Sequence, residues 1–289
     1  MTVDLDAEAA ATTAALRALA PELTSVPVIK TSRPFYGARV GDLRATAAGW
    51  LRAHPGATPA QVAGLADRLW RTGVREEQLV ACFLLARDRA ALAATDPGQL
   101  RSWTALLDNW ETTDQLGMNV LGPLVAADPA AHLGLLTALA DDPSPWARRL
   151  ALVACIRLAR ADDPARWWPA VAELVLALAG DRQAALPKAS SWVLRSWLAP
   201  CQGQVASFVN ANAGRLPALA VRETRAKLAT GSKRPPRRPA AARSPGDHPG
   251  GPPDPPYPPG DHPGGPPDPP YPPGDHPGGP PDPPGGGRR

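Results

Sequence analysis

Ser144-Pro-Trp-Ala-Arg-Arg-Leu-Ala-Leu-Val-Ala-Cys-Ile-Arg-Leu-Ala159 is the stretch that decides the fold. Its apolar side chains recur at Trp146, Leu150, Val153 and Ile156-Leu158, a spacing that lays them along one stripe of an α-helix. Asp142-Pro143 stands just ahead of it, a residue that can cap a helix beside a proline that can open one. The same punctuation returns at Asp96-Pro97, Asp128-Pro129 and Asp163-Pro164, and Val171, Leu174, Val175 and Leu178 repeat the periodicity between Pro164 and Ala179. Ala and Leu dominate between the breaks, and no apolar/polar alternation runs far enough for a sheet. The chain therefore reads as all-α, with helices of roughly 12–17 residues joined by short turns and neighbours packed antiparallel. Repeated pairs of this kind form an α-solenoid of HEAT-like repeats, each pair burying its stripe against the next. No constant period is visible, so a compact irregular bundle is the competing description.

This character holds over residues 1–230 and then breaks. Gly231-Ser-Lys-Arg-Pro-Pro-Arg-Arg-Pro is a basic, proline-rich hinge, followed by the 14-residue unit Gly-Asp-His-Pro-Gly-Gly-Pro-Pro-Asp-Pro-Pro-Tyr-Pro-Pro at Gly246 and Gly260, with a shortened copy from Gly274. Prolines this dense donate no backbone hydrogen bonds and bring almost no aliphatic surface, so residues 231–289 are expected to be a disordered tail with polyproline II character. The tail takes 7 Lys/Arg and 6 Asp out of 31 basic and 27 acidic residues, leaving the body 24 and 21. A balance near +3 permits a local phosphate-binding face without requiring one.

Cys82, Cys155 and Cys201 are far apart in apolar company, which predicts reduced core cysteines rather than disulfides or a metal site. His54 and His132 are the body's only histidines and neither lies in a ligand-like cluster, so no metal and no cofactor is expected. The acidic start Met1-Thr-Val-Asp-Leu-Asp-Ala-Glu does not read as a signal peptide, and no apolar run approaches the ~18 residues of a membrane helix. A cytoplasmic protein without membrane contact is expected.

Nine tryptophans stand against three Phe and three Tyr. Trp50, Trp70 and Trp103 lie among leucines and alanines and are expected in the core. Three others keep polar company. Trp110 and Asp114 are at i and i+4, hence on one helix face, unless Asp114 instead caps a helix over Gln115–Leu124. Trp146 and Arg149 are at i and i+3; a guanidinium there suits phosphate, or pairs with Asp141 or Asp142. Lys188, Trp192 and Arg195 form a cation–aromatic–cation face that can track a sugar–phosphate backbone, or is an ordinary solvated face.

Together these residues resemble the bacterial alkylpurine DNA glycosylases built from HEAT-like repeats, the AlkD-like DNA alkylation repair enzymes. The resemblance runs from about Pro34 to Leu228. It starts at Phe35-Tyr-Gly37-Ala-Arg-Val-Gly-Asp-Leu-Arg44 and continues through Trp110-x-x-x-Asp114, Trp146-x-x-Arg149 and Lys188-Ala-x-x-Trp192-Val-Leu-Arg195 to Arg222-Glu223. It implies catalytic roles for Trp110, Asp114, Arg149 and Trp192, and DNA contacts from Trp146, Arg148, Lys188, Arg195 and Arg222. The family carries an aromatic residue near the position of Val28 and a helix where Val26–Arg33 here reads as loop.

The reaction that the resemblance implies suits these residue types. A purine alkylated at N3 or N7 is cationic and leaves as a neutral base, so the demand falls on stabilising oxocarbenium character on the deoxyribose. Asp114 would supply negative charge near C1′ and orient water, the tryptophan faces would attract the cationic sugar, and Arg149 would hold a phosphate. The implied partner is double-stranded DNA carrying alkylated purines, bound by a monomer. The alternative is a non-catalytic helical-repeat scaffold for DNA or protein.

Overall fold

The computed structural model describes residues 3–19 and 29–233. The tail repeats and Val28 lie outside the described residues. Within them the chain is all-α, with no strand. Its helices are α1 (Leu5–Ala18), α2 (Val40–Ala53), α3 (Pro59–Arg71), α4 (Arg75–Arg87), α5 (Arg89–Ala93), α6 (Pro97–Trp103) and α7 (Trp110–Leu116). They continue as α8 (Gly122–Ala127), α9 (Pro129–Ala140), α10 (Pro145–Leu158), α11 (Pro164–Ala177), α12 (Ala185–Ala211) and α13 (Ala218–Thr230).

Helix starts follow the expected chemistry, with two departures. Asp96 and Asp128 cap α6 and α9 through their carboxylates, each followed by proline in the first turn. At Asp142-Pro143, however, the helix waits two residues: Ser144 is the cap and Pro145 the first helical residue, while the Asp142 carboxylate accepts from Ser144 N. Asp163 precedes α11 in the left-handed region at φ 49°, and its carboxylate caps nothing. Aspartate tolerates that conformation better than most residues. Residues 29–33 are loop, as read from the sequence.

The helices pack in two layers. In one, α2 contacts α4, α4 contacts α7, and α7 with α8 contacts α10, which contacts α12. Behind it α1 packs on α3 and α3 on α5, while α9 packs on α11. The cross-layer pairs α3–α4, α9–α10 and α11–α12 close the core between them. This is the stacking that helical pairs with single apolar stripes produce. Trp70 and Trp103 fill the core as a stacked pair 4.7 Å apart, Trp50 is buried at its edge, and all three cysteines are buried and free.

α7 and α8 are one helix interrupted by a π-helical stretch, Gly117–Leu121, where Gly122 N–H reaches back to Gly117 O. Two glycines bring this helix against α10. A Cβ on Gly117 would lie 2.7 Å from Val153 Cγ1, and one on Gly122 would lie 2.6 Å from Gly117 O and 2.9 Å from Ala154 O. Only hydrogen fits at either position, and the close approach sets the distance between the two helices that carry Asp114 and Arg149.

Candidate active site

Trp110 is the first residue of α7, Trp146 the second of α10 and Lys188 the fourth of α12, so the N-terminal ends of three neighbouring helices share one edge. Asn109, not Asp114, caps α7: its Oδ1 accepts from Glu111 N and Thr112 N at 3.0 Å. Trp110 and Asp114 therefore do belong to one helix, and Asp114 is free for a tertiary role.

That role is a two-point contact with Arg149. Arg149 Nε donates to Asp114 Oδ1 at 2.8 Å and Nη2 to Oδ2 at 2.7 Å, and both residues are only 5% exposed. Arg149 Nη1 donates to Ala185 O, which ties the pair to the first residue of α12. Burial pushes the Asp114 carboxyl above its ordinary value; Arg149 pulls it back without cancelling the shift, and Glu111 adds to it. Neither Asp141 nor Asp142 pairs with Arg149; its neighbour Arg148 donates to the backbone carbonyls Asp142 O and Pro143 O and pairs with Asp181 at 2.7 Å.

Trp146 and Trp192 are half-buried against the core, Trp110 is half-exposed, and Lys188 is exposed. Four of the other indoles are hydrogen-bonded, while that of core Trp168 is not. Trp50, Trp70, Trp103 and Trp197 each donate Nε1–H to an oxygen, from Glu8, Trp103, Asp67 and Cys155 respectively. Among the described residues the indole N–H groups of Trp110, Trp146 and Trp192 donate to nothing. Arg195 departs from the expected solvent-facing stripe. It is 6% exposed, donating to Ser191 Oγ at 3.2 Å beside Glu223 of α13, whereas Arg222 is exposed.

Several polar residues at this edge escaped sequence reasoning. Arg75, first residue of α4, forks onto Glu111 with Nε and Nη2, and its Nη1 reaches Glu76 at 2.9 Å. Residues 29–39 cross the edge as a strap. Asp108 accepts from Thr31 Oγ1, Ser32 N and Ser32 Oγ; Glu76 accepts from Tyr36 N and Gly37 N; and Arg75 N donates to Pro34 O. Glu111 could have been suspected, since it precedes Asp114 by one turn in the same motif. Arg75 and Asp108 have partners 36 and 76 residues away, which no local spacing reveals.

No group of three or more His, Cys, Asp or Glu side chains among the described residues could hold a metal ion, and none of their helices is long and apolar enough to cross a membrane. Two clefts, of about 190 Å³ between α9, α10 and α11 and about 280 Å³ between the end of α8 and the start of α11, are lined by none of Trp110, Asp114, Arg149 and Trp192. Compared with known families, residues 13–228 match the one described as DNA alkylation repair enzyme. No curated protein matches the chain.

Proposed function

This chain belongs to the family of DNA alkylation repair enzymes, and we propose that it is a DNA glycosylase hydrolysing the N-glycosidic bond of cationic N3- or N7-alkylated purines in duplex DNA. The observation that carries this reading is the buried Asp114–Arg149 fork at an edge bordered by indoles with unused N–H groups. In this reading Asp114 opposes the positive charge growing at C1′, Trp110 and Trp192 offer electron-rich faces to the same sugar, and Arg149 meets the flanking phosphate.

The pairing does not exhaust either partner. A carboxylate has about four acceptor sites and Asp114 uses two on Arg149, which leaves capacity to orient a water. A guanidinium has five N–H donors and Arg149 spends three, on Asp114 and Ala185 O, leaving one on each terminal nitrogen for a phosphate oxygen. The low-dielectric setting strengthens every charge interaction made there. Because the leaving base is neutral, no general acid is required and no cofactor enters the scheme. Trp146, Lys188 and Arg222 would contact DNA directly. Arg148 and Arg195 would act from within their ion pairs, holding α10 to Asp181 and α12 to α13. We place this activity in a cytoplasmic monomer.

The test is release of 3-methyladenine or 7-methylguanine from methylated duplex DNA by the purified chain and by Asp114→Asn. Release by the parent and not by the variant supports the reading. Release by neither, with DNA bound, would leave a non-catalytic DNA scaffold.

A further inference from the structure

Glu111 and Asp114 stand three residues apart on α7, so their side chains share one face with Cβ atoms about 5–6 Å apart. Both are buried, at 8% and 5% exposed. Two buried carboxylates this close repel unless each has a cation of its own. Arg149 forks onto Asp114, and Arg75 forks onto Glu111, its Nη2 donating to Oε1 at 2.9 Å. Arg75 is shared, however: its Nη1 also donates to Glu76 at 2.9 Å and to Ala38 O at 3.3 Å. Three carboxylates, Glu76, Glu111 and Asp114, thus stand against two guanidinium groups, Arg75 and Arg149, which leaves one formal negative charge over. The other donors to Glu76 are the uncharged Tyr36 N and Gly37 N.

A tie between α4 and α7 explains why Glu111 has an arginine. It does not explain why the tie sits one turn from Asp114, where it adds repulsion to a carboxylate that burial already disfavours. The charges on the neighbouring elements are turned elsewhere. On α4, Glu77 accepts from Thr13 and Tyr36; on α10, Arg148 pairs with Asp181. Ahead of α7, Asp108 is taken by Thr31, Ser32 and Asn109. The stretch Gly117–Leu121 carries no charged residue, and Lys188 near the start of α12 is exposed. Among the described residues, Asp114 therefore has Arg149 as its paired cation and Glu111 as the anion beside it.

We propose that Glu111 is a positioning residue for base release: held by Arg75 one turn from Asp114, it makes the Asp114 carboxylate a stronger acceptor for the proton of the attacking water. The inference rests on the proposed function. In the step concerned, the water oxygen bonds to C1′ while the C1′–N bond breaks. The electron pair leaves with the base, which thereby becomes neutral, and the water proton passes to Asp114. A general base works best when its proton affinity approaches the working pH, and a buried anion one turn away moves Asp114 in that direction. The surplus negative charge also favours the cationic sugar. Arg75 occupies Glu111 through a two-point fork, which leaves the proton to Asp114.

The experiment is single-turnover base release from methylated duplex DNA across a pH series, by the full chain, Glu111→Gln, Glu111→Asp and the double variant Arg75→Gln/Glu111→Gln. Glu111→Gln removes the charge at nearly constant shape. Its acid limb is expected at lower pH than the parent's, with the plateau rate down about tenfold. Glu111→Asp, which keeps the charge, is expected to hold the limb at the parent's position. The double variant removes both charges of the fork and should place the limb between those of Glu111→Gln and the parent. A merely structural tie would lower the melting temperature of Glu111→Gln and leave the limb where it was, which overturns the proposal. Should Glu111→Gln not fold, the double variant decides: a limb at lower pH supports the proposal and one at the parent's position overturns it. A parent that releases no base overturns the glycosylase reading and this inference together. Release with an unmoved limb overturns this inference alone.

Discussion

Glu111 and Asp114, one turn apart on α7, hold arginines from opposite neighbours: Glu111 takes Arg75 from α4 and Asp114 takes Arg149 from α10. A single helical turn thus anchors both sides of its layer through two buried forks. Removing one partner of such a pair leaves an uncompensated buried charge, at a cost of about 3–5 kcal/mol. Arg149→Met is therefore expected to destabilise the fold by that amount. Arg149→Lys keeps the charge but cannot make the fork, and should fall between the two. Urea denaturation of the three proteins gives the ranking; equal midpoints for parent and Arg149→Met would remove the pair from the account of stability.

Asp114→Asn preserves shape while removing the negative charge. Base release from methylated DNA is expected to fall by at least about 100-fold, the order found when a charge-stabilising group is removed from a transition state. Affinity for the DNA should stay within a few-fold of the parent, because phosphate contacts come from other residues. Single-turnover rates below the variant's melting temperature, set beside equilibrium binding, separate the two effects.

The pH dependence has a definite sign. Burial raises the Asp114 carboxyl, so the acid limb of the base-release rate is expected above the ordinary aspartate value of about 3.9, with the rate rising as Asp114 ionises. The same shift favours the neutral form in the folded state. Its contribution to stability is thus full below the ordinary value and lost as pH rises through the elevated one. A limb at or below the ordinary value in a single-turnover pH profile would count against Asp114 as the ionising group.

Gly122→Val tests the close approach of α8 to α10. The new Cβ would meet two backbone oxygens at 2.6 and 2.9 Å, atoms that cannot swing aside. Overpacking of this kind costs about 1–3 kcal/mol, and the forced separation should loosen Asp114 from Arg149. A drop in thermal stability accompanied by slower base release is the expected pair of results. Gly134→Val meets nothing within 4 Å, and Gly134 is the control for valine's own helix preference.

Asp108→Ala should free the strap. Burial opposes the Asp108 charge, but hydrogen bonds from Asn109, Ser32 and Thr31 outweigh it and hold the carboxyl below its usual range. Its stabilisation is therefore present above about pH 4 and lost as pH falls through the lowered value. Hydrogen exchange at residues 29–33 is expected to quicken in the variant at neutral pH, while the parent shows the same quickening only in strong acid.

The sequence made the helices legible because their stripes and caps are local. Ser144, two residues after Asp142, shows the resolution limit: either residue can cap, and the choice depends on tertiary packing. The quartet divided along the same line. Trp110 and Asp114 share α7, as their spacing required. That Asp114 would face Arg149 rather than solvent depends on two glycines and a π-helical stretch, none of which leaves a periodic signal. Arg195 turns inward for a related reason, since Glu223 beside it comes from the following helix.

The π-helical stretch has one more consequence. It is equivalent to one residue inserted into an otherwise regular helix, and each residue turns an α-helix by about 100°. Removing any one residue from Gly117–Leu121 would let the helix close up into regular geometry with α8 still seated on α10. Asp114 would then be rotated about a quarter turn out of phase with Arg149. The stretch acts as a phase shifter, letting one continuous helix present small residues to α10 at one end and a carboxylate to the same helix at the other.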